Sequence, residues 1–213
     1  MYKLYDGVGT GGVTARAALA ELGVDYKIVD IDLEKAEECT EEFTRINPCQ
    51  QVPVLELSDG TRLTENIAIL MHLADSHPEA GLAPPCGTVA RAQVNRWLSF
   101  FAMNIYGPGY MEMRPAFYTT DPSGAEGIRE AATIFVTRHY AIFEEAMGDG
   151  PYYLGDQFSI LDLYIWMLVQ YWGDYEMMRS DWPKTYQLAE TVMMRPQVKP
   201  VHDAHFGPGV GFG

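Results

Sequence analysis

Residues 50–66 read QQVPVLELSDGTRLTEN. An apolar VPVLEL, a Ser-Asp-Gly turn and a returning TRLT predict a β-hairpin. Pro53 stands at the mouth of the first strand, although proline gives no backbone donor and normally stays out of a sheet interior. The second strand runs straight into Glu65-Asn66. The proline and the acidic-amide pair both ask for a role beyond strand pairing.

The flanking sequence supplies the rest of a domain. YKLY (2–5) reads as a strand, and Thr14 to Leu22 as a helix with Ala15, Ala18, Leu19 and Leu22 on one face and Gly23 as its stop. DYKIVDIDL (25–33) alternates and is β-branched, which predicts a second strand. Glu41 to Asn47 predicts a short helix ending before Pro48, and Glu65 to Ser76 another with Ile67, Leu70, Met71 and Ala74 inward. The order is β-α-β-α-β-β-α: a parallel pair from the first βαβ unit and an antiparallel pair from the hairpin.

HPEAGLAPPCG (77–87) is rich in Pro and Gly and reads as a linker. Beyond it no strand pattern occurs. Val94, Trp97, Leu98, Phe101 and Ile105 fall at helical spacing, as do Ile128, Ala132, Phe135 and Ile142. FSILDLYIWMLVQYW (158–172) is apolar nearly all round and predicts a central buried helix. The tail GPGVGFG (207–213) reads as frayed. Two domains follow, an α/β unit over 1–76 and an all-α helical bundle over 88–213.

Composition narrows the function classes. A formal net charge of −14 opposes nucleic acid and anionic membranes, so an anionic ligand needs local donors such as helix N-termini. The dense acidic stretch DLEKAEECTEE (32–42) reads as a solvated segment. The N-terminus lacks a basic region followed by an apolar run, and no apolar stretch reaches about 18 residues, so neither signal peptide nor membrane span is expected. Three cysteines, Cys39, Cys49 and Cys86, lack metal-site spacing and are odd in number. A reducing, cytoplasmic setting without a metal is expected.

A β-α-β-α-β-β-α unit whose third strand opens with Val-Pro resembles the thioredoxin-type fold. The whole chain resembles the cytosolic glutathione transferase superfamily of bacterial type. NPCQQVPVLELSDGTRLTEN is similar to the family's NPxGxVPxLxxxDGxxLxES pattern, GLAPP resembles the start of its linker, and FSILDLY resembles its N-capping box with hydrophobic staple. In that last motif Ser159 and Asp162 are read as folding residues.

The resemblance implies a thioredoxin-like N-terminal domain, a helical C-terminal domain, a homodimer, and glutathione as co-substrate. It implies a cis Val52-Pro53 bond that leaves the N–H and C=O of Val52 free for an extended peptide. It implies that Gln51, Val52, Pro53, Glu65 and Asn66 hold glutathione. An acidic side chain suits the γ-glutamyl ammonium, and helix N–H groups with a short polar side chain suit its carboxylate. Three positions depart from the family. Asn66 stands where Ser is commonest, and Gln50-Gln51 replace the usual Gly and basic residue. A charge-assisted bond is about twice as strong as a neutral one, so weaker glutathione binding is expected.

The family activates the thiol through Tyr, Ser or Cys near the first strand end or helix start. Here LYDGVGTGGVTARAAL has no Cys and no Ser. The hydroxyls of Thr10, Tyr5 and Thr14 remain, as do backbone donors of Gly9, Gly11 and Gly12. Thr10 leads and Tyr5 follows as catalytic candidates. Tyr106, Tyr110, Met111 and Arg114, on the first long helix around a Gly-Pro-Gly break at 107–109, are the candidates for a second-substrate pocket. His139 reads as structural. The expected activity is attack of the glutathione thiolate on a small hydrophobic electrophile or hydroperoxide. Alternatives are a non-catalytic carrier or protein-interaction module of the same fold, and a glutathione-dependent isomerase or ether-cleaving enzyme.

Overall fold

The structure, a computed structural model, describes residues 1–209; the end of the tail expected to fray lies outside the described residues. Four strands form one mixed sheet in the order β2-β1-β3-β4: β1 (Tyr2–Asp6), β2 (Tyr26–Asp30), β3 (Val54–Glu56) and β4 (Arg62–Leu63). β1 pairs β2 in parallel and β3 antiparallel, with Leu4 opposite Leu55 and Tyr5 opposite Val54. Strand alternation sends these two pairs to opposite faces. Leu4 and Leu55 join the main core with α1 (Gly12–Leu22) and α3 (Asn66–Ser76), whereas Tyr5 and Val54 join a smaller cluster around Phe43 of α2 (Glu41–Thr44).

The second strand stops at Asp30, short of the expected Leu33. The Asp32 carboxylate accepts the N–H groups of Glu34 and Lys35 and turns the chain there, so the local side-chain bond overrides the alternating pattern. In α3 the fully buried face is Ile69, Leu70, Leu73 and Ala74, while Ile67 and Met71, expected inward, are half-buried. The helix packs on both α1 and a helix of the second domain, so two neighbouring faces are covered.

The helical domain comprises α4 (Val89–Phe101), α5 (Gly107–Met113), α6 (Ala125–Ala146), α7 (Ile160–Trp172), α8 (Tyr175–Asp181), α9 (Pro183–Met193) and α10 (Val198–Phe206). Every residue of α7 from Ile160 to Gln170 is buried, as its all-round apolarity predicts. On α6 the buried face is Ala132, Val136, Tyr140 and Phe143; Phe135 and Ile142, which share the helical spacing of Ala132 in the sequence, are exposed. Both faces carry apolar residues at helical spacing, and periodicity alone does not say which one meets the core.

No break occurs at Gly107-Pro108-Gly109. A π-helical turn, Ala102–Tyr106, joins α4 to α5, and the Gly107 N–H bonds the Ala102 carbonyl. The wider turn absorbs a proline that has no N–H to give.

Two ion pairs fasten the two domains. The Arg91 guanidinium grips Asp75 at 2.7 and 2.8 Å, and Arg195 grips Glu21 at 2.8 Å through two nitrogens while lying 3.7 Å over the Phe158 ring. Bidentate geometry and partial burial make such pairs stronger than ordinary surface bridges.

Candidate functional site

The end of β1 and the start of α1 are organised by Asp6, a residue 1 % exposed. Its Oδ1 accepts the Gly7 N–H and the Thr10 hydroxyl, each at 2.9 Å. Its Oδ2 lies 3.0 Å from Nε2 of His205 on α10, a contact between two buried side chains. A Cβ at Gly12 would overlap this carboxylate, so glycine is required there for Asp6 to sit beneath the helix start. The absence of Cys or Ser at position 12 therefore has a steric cause.

Thr10 gives its single proton to Asp6 and accepts the Gly12 N–H at 3.2 Å. The Thr10 N–H bonds Gly7, and those of Val13 and Thr14 bond Thr10 and Gly11. The Gly11 N–H has no partner among the described residues. Across from it, a Cβ on Gly11 would stand 3.4 Å from the Tyr106 hydroxyl. Burial first, and Tyr110 next, raise the Tyr106 phenol above its ordinary range, so it remains a proton donor.

Asn66 joins two helix N-termini. Its Nδ2 donates to the Gly11 carbonyl at 2.8 Å, and its Oδ1 accepts the Thr14 hydroxyl at 2.9 Å. The side chain expected to meet a ligand is thus engaged in the scaffold, whereas the first-turn N–H groups of α3 remain unpaired, as at any helix start. Glu65, exposed just before α3, has φ +63°, a strained conformation for a non-glycine residue.

The Val52-Pro53 bond is cis. Neither backbone group of Val52 has a hydrogen-bond partner among the described residues. The register that sets Tyr5 opposite Val54 puts Val52 at the level of the β1–α1 loop. Asn47 holds the approach by donating to the Gln51 carbonyl at 2.8 Å, while the Gln51 side chain is exposed.

The structure brings Thr10, Val52, Pro53, Glu65 and Asn66 to one end of the sheet. Tyr5 is elsewhere: its hydroxyl donates to Glu56 at 3.2 Å and its ring packs on Phe43. Lys3 first, and Arg62 next, hold the Glu56 carboxyl down to about 2, so this corner is an ion-pair cluster.

A cleft of about 790 Å³ opens from Gly9, Thr10 and Gly11 into the helical domain. Of the four second-substrate candidates, Tyr106, Tyr110 and Arg114 line it and Met111 does not; Met113, two residues on, lines it instead. Tyr140, Gln170, Tyr171, Trp172 and Phe206 also line it. They come from distant helices, and nothing in their local sequence marks them.

Comparison with known proteins decides the family. Residues 1–75 match the description Glutathione S-transferase, N-terminal domain, and residues 110–201 match Glutathione S-transferase, C-terminal domain. The chain is 30% identical over 170 residues to glutathione S-transferase GstA of Escherichia coli O157:H7, covering 79% of this chain and 81% of that one. The chain belongs to the glutathione S-transferase family.

Solved members of the family share the architecture. A glutathione transferase homologue from Sulfitobacter, with bound glutathione, superposes with a TM-score of 0.83 at 28% identity, over 95% of this chain and 97% of that one. A sphingomonad glutathione S-transferase complexed with glutathione gives 0.80 at 29% identity, over 95% and 98%. The transferase fold, a small mixed sheet with helices followed by a helical domain, is therefore shown by sequence and by shape.

Proposed function

We propose that this transferase binds glutathione along Gln51 and Val52 and across the start of α3, and joins its sulfur to a small apolar electrophile, or uses it to reduce a hydroperoxide, in the cleft between 1–76 and 88–213. One observation carries the reading: unpaired backbone groups of Gly11, Val52 and the first turn of α3 converge at one end of the sheet. A tripeptide anion matches such a set of donors and acceptors.

Thiol activation falls to the backbone in this reading. A thiol of pKa about 8.5 is only a few per cent ionised at pH 7, and a drop of two units takes about 2.7 kcal/mol. The backbone donor for it is the free Gly11 N–H at the α1 start, with the Tyr106 hydroxyl beside the same glycine as a side-chain addition. Thr10, its proton given to Asp6, holds the loop in shape. In transfer, the thiolate pair forms the carbon–sulfur bond as the leaving group departs with its own pair.

The commitment of Thr10 to Asp6 also favours a second reading, a glutathione-binding carrier without thiolate chemistry. Calorimetric titration with glutathione, with thiolate absorbance near 240 nm followed across pH, separates them. Binding with a lowered thiol pKa supports transfer, and binding with an unshifted pKa supports the carrier. No binding at millimolar glutathione sinks both. The exposed apolar residues of α6, Ile134, Phe135 and Ile142, suit burial against a second copy of a cytoplasmic chain. Sedimentation at micromolar concentration checks this, a monomer being the contrary result.

A further inference from the structure

The loop that carries the unpaired Gly11 N–H rests on the Asp6 carboxylate, and that carboxylate meets one side chain from the far end of the sequence. His205 of α10, its side chain fully buried, stands with Nε2 3.0 Å from Oδ2 of Asp6. The contact lacks the alignment of a hydrogen bond. Neither Oδ2 nor either ring nitrogen of His205 has a hydrogen-bond partner among the described residues. Asp6 makes no other ion pair among them. Burial first, and Tyr106 and Asp6 next, raise the Tyr171 phenol well above its ordinary range, so that group stays uncharged beside the pair.

Stability is a poor reason for such a pair. Buried polar groups without further partners are costly to desolvate, and apolar side chains of similar volume commonly replace them without loss. What the pair has is leverage on the loop. Oδ1 of the same carboxylate accepts the Gly7 N–H and the Thr10 hydroxyl, each at 2.9 Å, and Thr10 in turn accepts the Gly12 N–H at 3.2 Å. Those bonds fix the loop on both sides of Gly11 and leave the Gly11 N–H without a partner among the described residues. The carboxylate turns as a rigid unit about a bond whose rotation is intrinsically broad. A group that holds Oδ2 therefore also holds Oδ1 and the contacts it accepts.

We infer that His205 is a positioning residue for the thiol of glutathione: by holding Oδ2 of Asp6 it fixes the rotation of the carboxylate, and with it the direction in which the Gly11 N–H meets the sulfur. The inference deepens the transferase reading and rests on it for the place of the sulfur at Gly11. It adds a group from the helical domain to a loop built by the other domain.

The test compares the wild type with H205L, which removes the polar contact, and H205Q, whose amide offers a donor at a similar reach. Thiolate absorbance near 240 nm is followed with glutathione bound, between about pH 5 and 9, below the ordinary phenol range. H205L is expected to raise the pKa of the bound thiol by about one unit, a tenfold loss of thiolate at a given pH. Its glutathione affinity at about pH 5, where the thiol is protonated in both proteins, should stay within about twofold of the wild type. H205Q should restore most of the lost thiolate. Should H205L not fold, H205N, whose amide stops short of Oδ2, carries the same expectation. A lower melting temperature with an unchanged thiol pKa would make His205 merely structural and overturn the inference. In the D6A background His205 has no carboxylate to hold, so H205L should leave the thiol pKa where D6A puts it. An equal shift in both backgrounds would show that His205 does not act through Asp6, and would also overturn it.

The Gly11 amide resonance, followed by NMR as glutathione is added to the same samples, gives a readout that needs no thiolate. It should respond in the wild type and respond less in H205L. That pattern with an unshifted thiol pKa in the wild type sinks only the transferase reading. A lowered wild-type thiol pKa that H205L leaves unchanged sinks only the inference. A wild-type Gly11 amide that ignores bound glutathione overturns the inference whatever the thiol pKa, and no binding of glutathione sinks both.

Discussion

At the scale of single residues, Gly12 and Asp6 are one unit. The carboxylate occupies the space that a side chain at position 12 would need, so Gly12→Ala is expected to cost about 3 kcal/mol by forcing buried groups apart. Asp6→Ala removes the obstacle at its own cost, since Gly7 and Thr10 lose their acceptor. In that background the Gly12→Ala cost should nearly vanish, a non-additivity that chemical denaturation of the four proteins measures. Additive losses would mean that Asp6 does not set the glycine requirement. Glu65 makes the opposite case. Its φ of +63° is strain that glycine relieves, so Glu65→Gly should leave stability unchanged or raise it by up to about 1 kcal/mol. Glutathione affinity should fall by about tenfold or more in the same protein, as one charge-assisted bond is lost. A stability loss with intact affinity would assign the conformation to folding rather than to the ligand.

At the scale of elements, α7 shows how a buried helix starts. Asp162 accepts the N–H of Ser159 at 2.7 Å, the Ser159 hydroxyl at 2.9 Å and the N–H of Tyr153 at 2.9 Å, closing a capping box. Burial outweighs those bonds and lifts its carboxyl to about 6 from an ordinary value of 3.8. The native state therefore binds this proton more tightly than the unfolded chain. Its contribution is full below about pH 4 and is lost as pH rises through about 6. Asp162→Ala should destabilise by about 2 kcal/mol through the lost cap and the orphaned Tyr153 N–H. It should also flatten the stability change between pH 4 and 6, which urea titrations at several pH values would show. An unchanged slope would remove Asp162 from the titration.

This helix was legible because FSILD is a local signal whose partners are three residues apart. The hairpin and the order of the first seven elements were legible for the same reason. The inward face of α6 was not. Phe135 and Ile142 compete with Val136 and Tyr140 on pattern alone, and only the packing of α5 and α9 against the helix decides. The site divides likewise. The residues around Val52-Pro53 and Glu65 lie in one continuous motif. Asp6 and His205 meet across 199 residues of sequence, and Tyr140 and Tyr171 line one cleft from two helices. No periodicity carries that information.

At the scale of the molecule, charge and site oppose each other. The chain carries a formal charge of −14, and glutathione arrives as an anion. Gln51 brings no cation where the family commonly has one. In the proposed site the groups that attract the carboxylates are peptide dipoles and hydrogen bonds, effective over the first turn of a helix, and Glu65 acts only on the ligand's ammonium. The repulsion is summed over the whole surface and is long-ranged at low salt, where the Debye length is about 30 Å at 0.01 M against about 8 Å at 0.15 M. Added salt therefore screens the repulsion more than the attraction. Between about 0.01 and 0.15 M sodium chloride, the Kd for glutathione should fall by about two- to threefold, the reverse of a site built on basic side chains. Gln51→Lys should tighten binding at low salt and erase or invert that dependence, because a local cation then dominates the field. Calorimetry at three salt concentrations on both proteins measures the sign. A wild-type Kd that rises with salt would show that a cation from elsewhere in the fold reaches the ligand, and would shift attention to Arg114 at the cleft.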